Sequence, residues 1–275
     1  MHVGNARTAL FNWLYARKSG GTYVFRVEDS DVDRSDEGSI RAILESLAWL
    51  GLSPDEGESL DNIRPGPHAP YRQSRALELY QAQAQALLAS GRAYWCFDRP
   101  EEQEAERQHL LHHPGERKRR HPHRGLDAAA RGALRAEGRE PALRFACDDL
   151  EGMVSWDDQV RGDIRVDLAE IRDFNLLKSD GTPMYNWACV VDDHRMGITN
   201  VLRGEDGISN TPRQLLLYRA LGWEPPSFGH LAFILGPDGQ KLSKRHGDTG
   251  VGLFRAKGYL PEALLNYLGL LGLGG

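Results

Sequence analysis

Between Met1 and Gly91 the side chains switch from a helical to an extended period and back, and few folds accept that order. Leu10, Trp13, Leu14 and Arg17 recur on one face, which predicts a helix over residues 6–18, stopped by Gly20 and Gly21. The run TYVFRV at 22–27, β-branched and aromatic, predicts a strand. Ile40, Ile43, Leu44 and Leu47 predict a second helix over 37–50, ended by Gly51. A third is expected over 74–90, with Ser74 as its N-cap and Gly91 just past its end. Helix, strand, helix, loop, helix is the pattern of an α/β domain.

Near residue 93 the texture changes. From about 98 to 142 the chain is polar, rich in Glu, Arg and His, and weakly periodic, as expected of an insertion. Residues 143–183 read as short strands and turns, among them MVSW and the turn KSDGTP. Strong patterning returns at 184. MYNWACVVDD, with its apolar centre, is expected to be a buried parallel strand. ITNVL at 198–202 and HLAFIL at 230–235 predict two further strands. Between them SNTPRQLLLYRALG predicts a helix with Asn210 or Thr211 as N-cap, Pro212 in its first turn and Gly222 closing it. A last helix opens on Pro261. The organisation predicted is an α/β unit, an insertion, and the α/β unit resumed.

Composition narrows the function classes. No apolar run approaches the roughly 20 residues that span a bilayer, and no basic-then-apolar signal opens the chain, so a cytoplasmic protein is the default. Cys96, Cys147 and Cys189 form no CxxC or CxC pair, which argues against a disulfide framework. The formal charge of −5 does not mark a nucleic-acid binder, but it hides the cluster ERKRRHPHR at 116–124. Such a run is a solvated face or a phosphate-contacting patch.

Four stretches carry chemistry. His2-Val3-Gly4-Asn5 opens the first helix, where unpaired N–H groups and a partial positive charge favour a phosphate. Lys241-Leu242-Ser243-Lys244-Arg245 follows a strand and a Pro-Asp-Gly turn, so two ammonium groups three residues apart can converge on an anion. Glu28-Asp29-Ser30-Asp31 ends a strand, where ligands of α/β sheets bind, and a carboxylate there can hold an ammonium group. A calcium loop is excluded, because Arg34 and Ile40 stand at the turn-glycine and closing-acid positions. Finally, Tyr185 and Arg203 are expected at the near ends of two successive strands, within reach of one pocket, and the planar fork of Arg suits a carboxylate. Asp192, Asp193 and His194 lack metal-ligand spacing.

Taken in order, HVGN, RVEDSD, VVDDH, LRGED with ISNTPRQ, and KLSKRHG resemble the catalytic region of class I aminoacyl-tRNA synthetases, and among these the bacterial glutamyl-tRNA synthetase family. HVGN stands where the family has its HIGH-type signature and KLSKR where it has its KMSKS-type signature. The resemblance implies a Rossmann-like nucleotide-binding fold with an inserted α+β module that binds the tRNA acceptor end. The boundaries it suggests are 1–93 and 184–246 for the catalytic domain, 94–183 for the insertion, and 247–275 for the start of a stem-contact region. It implies ligation of L-glutamate to tRNA(Glu) through glutamyl-adenylate, with ATP and Mg²⁺, by a monomer. The roles implied are ATP binding for His2, Gly4, Asn5, Lys241, Ser243 and Lys244, with His2 and the two lysines catalytic. Glu28 would hold the substrate ammonium, and Tyr185 and Arg203 the side-chain carboxylate. Arg117, Arg119, Arg120 and Arg124 would meet tRNA phosphates. The alternatives are a relative that glutamylates a modified tRNA base, and an inactive tRNA-binding fragment.

The chain also departs from the family pattern. An opening strand with an Arg and a Ser-Pro-Thr-Gly-type turn is expected before HVGN, where Met1 stands, and a helical anticodon-binding domain is expected after the last helix. Truncation at both ends is therefore anticipated, and with it weak or no activity of the chain as written. Some members bind zinc in the insertion through CxC and a later pair. Here Cys96 is followed by Asp98, so zinc and any other resident metal are not expected. Gly207 stands where relatives often carry His.

Overall fold

The computed structural model describes all residues except 31–36, 61–65, 117–118, 244, 246, 248 and 274–275. The helices are α1 (Val3–Ser19), α2 (Glu37–Trp49), α3 (Leu77–Ala89), α4 (Pro100–His112), α5 (Ala128–Ala136), α6 (Tyr185–Arg195), α7 (Thr211–Leu221), α8 (Val251–Ala256) and α9 (Pro261–Leu273). The strands are β1 (Val24–Phe25), β2 (Glu56–Gly57), β3 (Ala93–Cys96), β4 (Ala142–Phe145), β5 (Met153–Asp158), β6 (Gly162–Asp167), β7 (Phe174–Leu177), β8 (Asn200–Gly204) and β9 (Ser227–Leu231).

Two parallel pairs, β1–β2 and β8–β9, form the α/β part. Between α3 and α6 the strands are antiparallel: a sheet in the order β3–β4–β7 and the hairpin β5–β6. Parallel strands joined through helices and antiparallel strands joined by turns are the two ways a chain returns to a sheet, and this chain uses both. No helix among the described residues is long and apolar enough to cross a membrane.

Among the described residues, two large apolar clusters and two small ones hold the molecule. The largest gathers Tyr80 and Leu87 of α3, Leu143 and Leu176 of the antiparallel sheet, Trp187 of α6, Leu217 of α7 and Phe228 of β9. The second gathers Val3, Ala6 and Leu10 of α1 with Leu47, Val251 and Leu268 from α2, α8 and α9.

Several sequence expectations need correction. MYNWACVVDD is not a strand; Tyr185–Arg195 is helical. Trp187 through Asp193 are buried without interruption, so the segment has no polar face to betray its period. Tyr185 therefore opens a helix rather than a strand. Ser74 does not cap α3. Its N–H and hydroxyl donate to the Asp29 carboxylate at 2.9 and 2.7 Å, a 3₁₀ turn covers Gln73–Arg75, and the helix starts at Leu77. The strand expected at 230–235 ends at Leu231, because the next backbone groups are taken by side chains: Ala232 O accepts from Arg7, and Phe233 N donates to Glu205. Helix α1 begins earlier than predicted, at Val3, and Gly20 closes it with φ 67°.

Candidate active site

The start of α1, β1, β8 and the lysine loop surround a cleft of about 850 Å³. His2, Gly4, Asn5, Glu28 and Lys241 all line it. Residues far apart in sequence meet because the chain beyond the lysine loop returns to the amino-terminal end. Val3 N donates to Thr249 O at 2.8 Å, and Val251 N donates to Met1 O at 2.9 Å.

His2 is the N-cap of α1: its Nδ1 accepts from Gly4 N at 3.0 Å. That bond fixes the neutral tautomer, leaving the proton on Nε2. Burial, then the nearby Lys241, pushes the His2 pKa down, so the imidazole is uncharged at neutral pH. A Cβ on Gly4 would lie 3.2 Å from that Nδ1, tighter than ordinary contact, so glycine keeps the cap geometry open. Lys241 Nζ lies 3.5 Å from Asp206 Oδ2 and 3.8 Å from the centre of the Phe233 ring. Lys244 lies outside the described residues.

Glu28 also lines the cleft. Its Oε1 accepts from Arg26 Nη2 at 3.0 Å and from the Cys189 thiol at 3.4 Å. Burial, reinforced by Glu28, pushes the Cys189 thiol well up, so it stays protonated and donates. Arg26 also reaches Asp193 Oδ1 at 2.7 Å and Asp192 Oδ2 at 3.6 Å. Burial opposes its charge, but Asp193 and Glu28 outweigh burial and hold Arg26 protonated. Tyr185 and Arg203 do not line this cleft, but Tyr185 lies near Glu28: desolvation of its hydroxyl, Cys189 and Glu28 raise its pKa, while Arg203 opposes them, although the residue as a whole is partly exposed. Arg203, at the end of β8, has Nη2 at 3.1, 2.8 and 2.9 Å from Gly207 O, Thr211 Oγ1 and Gln214 Oε1. Its Nε donates to His230 Nε2 at 3.1 Å.

The basic cluster divides. Arg117 lies outside the described residues. Arg124 turns inward to Asp148 and Asp149. Arg119 and Arg120 remain exposed.

Sequence reasoning missed a donor set in the polar segment. It weighed Cys96 and Asp98 alone, yet His121 and His123 stand beside them, with one ligand atom of each of the four within 4.8 Å of the others. A thiol, a carboxylate and two imidazoles fit a divalent transition metal. The His-x-His spacing at 121 and 123 was the available signal. In the geometry described, the four also contact one another: His121 Nε2 lies 2.8 Å from Asp98 Oδ2 and 4.0 Å from Cys96 Sγ, and His123 Nδ1, which also accepts from Phe97 N, lies 3.3 Å from Asp98 Oδ1.

Over residues 1–274 the sequence matches the model of the family described as tRNA synthetases class I (E and Q), catalytic domain. Fold, cleft and sequence agree, and the chain belongs to this family of class I synthetase catalytic domains, with their Rossmann-like architecture. Among curated proteins it is 52% identical over 273 residues to the glutamate–tRNA ligase of Heliobacterium modesticaldum, covering 99% of this chain and 54% of that one. It is 48% identical over 272 residues to the glutamate–tRNA ligase of Carboxydothermus hydrogenoformans, covering 99% and 56%. Among solved structures it resembles a glutamate–tRNA ligase from Elizabethkingia meningosepticum in complex with its amino acid, with TM-score 0.86 and 35% identity over 98% of this chain and 57% of that one. The chain spans about half the length of the curated relatives it matches.

Proposed function

We propose that this chain is the catalytic region of an enzyme that ligates L-glutamate to tRNA(Glu) through glutamyl-adenylate, using ATP with Mg²⁺. The observation that carries this reading is the convergence of His2, Lys241 and Glu28 on one cleft.

The chemistry asks for positioning more than for a protein nucleophile. The glutamate α-carboxylate attacks the α-phosphorus of ATP, pyrophosphate leaves, and a tRNA hydroxyl then displaces AMP from the acyl carbon. Negative charge builds on the phosphoryl oxygens during the first step, and fixed donors aimed at it lower the barrier. The Nε2–H of His2, the N-terminal turn of α1 at Gly4 and Asn5, and the cation of Lys241 supply such donors, and by the family resemblance Ser243 and Lys244 of the sequence serve the same nucleotide. Mg²⁺ enters with the triphosphate as part of the substrate.

Glu28 receives the substrate ammonium, held in place by Arg26 and Cys189. Arg203 and Tyr185 receive the side-chain carboxylate. Glutamine, lacking that charge, leaves the guanidinium unpaired, a mismatch of several kcal/mol in a desolvated site. Residues 94–183 form the inserted module that meets the acceptor end of tRNA, with Arg119 and Arg120 contacting phosphates. The chain works as a monomer in the cytoplasm.

The test is pyrophosphate exchange into ATP by the full-length parent of this chain with tRNA present. Exchange is expected with glutamate and not with glutamine. Equal exchange with both amino acids rejects the substrate assignment.

A further inference from the structure

One half of the Arg203 fork is held by protein and the other is left open. Nε and Nη2 donate to the four partners already named, while no described residue accepts from Nη1. The stem of the side chain lies against Gly207, where a Cβ would stand 2.4 Å from Arg203 Nε and 2.7 Å from its Cδ. The guanidinium carbon sits 5.3 Å from the centre of the Phe228 ring.

The only imidazole in this constellation, His230, is fully buried. Its Nδ1 lies 2.5 Å from Asp158 Oδ2, and its own N–H donates to Asp158 Oδ1 at 3.0 Å. Asp158 receives three further donors, from Val160 N, Arg161 N and the Trp156 indole, at 3.1, 3.0 and 3.2 Å. A carboxylate so surrounded stays ionised and takes the proton-bearing side of the imidazole. The lone pair of His230 is thereby forced onto Nε2, the atom that faces Arg203 Nε–H. In the opposite tautomer two N–H groups would point at each other and the arginine would have to move.

We propose that Asp158 and His230 are positioning residues for substrate recognition: Asp158 sets the tautomer of His230, and His230 aims the Arg203 guanidinium so that Nη1 presents to the side-chain carboxylate of glutamate. This rests on the reading of Arg203 given under Proposed function. It also ties the two parts of the molecule together. Asp158 ends β5, in the antiparallel segment, and that hairpin is stitched to β9 and β8 by Gln159 N donating to Phe228 O at 2.8 Å and by Gln159 Nε2 donating to Asn200 Oδ1 at 2.9 Å.

The test uses the whole chain and three variants. Asp158→Asn offers an amide N–H to His230 Nδ1, reverses the tautomer and removes the acceptor for Arg203. His230→Gln supplies an amide oxygen that needs no carboxylate to orient it. The third is the double variant. The expected result is a rise in KM for glutamate of roughly 10–100-fold in Asp158→Asn. KM for ATP should hold, and the preference for glutamate over glutamine should fall by a similar factor. His230→Gln is expected to lose less, and the double variant to resemble His230→Gln rather than the product of the two losses. Multiplicative losses in KM for both substrates alike would mean that the pair serves folding alone, and would overturn the proposal.

A second readout needs no substrate. In ¹⁵N-histidine spectra of the free chain, His230 should carry its proton on Nδ1. In Asp158→Asn the proton should move to Nε2, and the Arg203 Nε–H resonance should shift. A native His230 protonated on Nε2, or an Arg203 resonance unmoved by Asp158→Asn, overturns the inference. Absence of glutamate-dependent exchange in the full-length parent, with these spectra as expected, counts instead against the assignment of the substrate.

Discussion

At the scale of single residues, His2 does two jobs that substitution can separate. It caps α1 through Nδ1, and it offers Nε2–H to the cleft. Asparagine is a good N-cap but reaches less far. His2→Asn is therefore expected to leave the melting temperature nearly unchanged while slowing adenylate formation by about 10²-fold, the usual loss of one transition-state donor. Thermal melting and pyrophosphate exchange on the same preparation check both halves. Asp158 and His230 carry a pH signature. Hydrogen bonds from His230 hold the Asp158 carboxyl at about 2, although burial works the other way. Burial, with Arg203 adding to it, keeps the His230 pKa below its ordinary 6.5. Both groups thus bind more protons when unfolded. The His230 contribution is present above pH 6.5 and lost as the pH falls below it, and the Asp158 contribution is lost later, between 3.8 and about 2. The urea midpoint should fall between pH 8 and pH 5, and the part due to His230 should vanish in His230→Gln.

At the scale of elements, the local signals were read well and the non-local ones poorly. HVGN and KLSKR are short contiguous stretches, and their places at a helix start and after a Pro-Asp-Gly turn follow from local chemistry. Pro212 in the first turn and Gly222 at the C-cap bound α7 as expected, whereas Asn210 stands at the N-cap without a side-chain capping bond. Helix α6 differs from the expected strand because Trp187–Asp193 is buried without a break, its two acids included, so no exposed polar face marks a period. The displaced start of α3 could not be foreseen either, since it depends on Asp29, a residue distant in sequence that captures Ser74. The same holds for His230, whose partner Asp158 lies on another strand with no motif linking them. Burial of α6 carries an energetic prediction. Trp187 is fully buried and its indole donates to Tyr80 O at 3.2 Å. Trp187→Ala should cost about 3–5 kcal/mol, read from urea unfolding followed by circular dichroism.

At the scale of the whole molecule, charge sets how the proposed tRNA partner would be met. A net −5 repels a polyanion at long range, so binding must come from a local patch. Arg124 is engaged with Asp148 and Asp149, which leaves Arg119 and Arg120 as exposed candidates among the described residues. Replacing both with Ala should lower the slope of log K against log salt by about 1–2, as expected for the loss of two phosphate contacts. Filter binding across a salt series measures it, and an unchanged slope would move the contact elsewhere.

The two cores described above have a calorimetric consequence. His2 and Lys241 belong to the side built on α1, α8 and α9, whereas Tyr185 and Arg203 belong to the side built on α6, α7 and β9. Glutamate and the triphosphate together would span both sides, so each half gains stability only while its neighbour stands. Heated bare, the halves are joined by a few direct links, among them Asn12 Nδ2 donating to Leu202 O at 2.8 Å and Arg26 to Asp193 at 2.7 Å, and are expected to separate in two steps. Heated with a non-hydrolysable adenylate in place, they should melt as one, and the number of peaks in the trace becomes a direct report of whether substrate is seated.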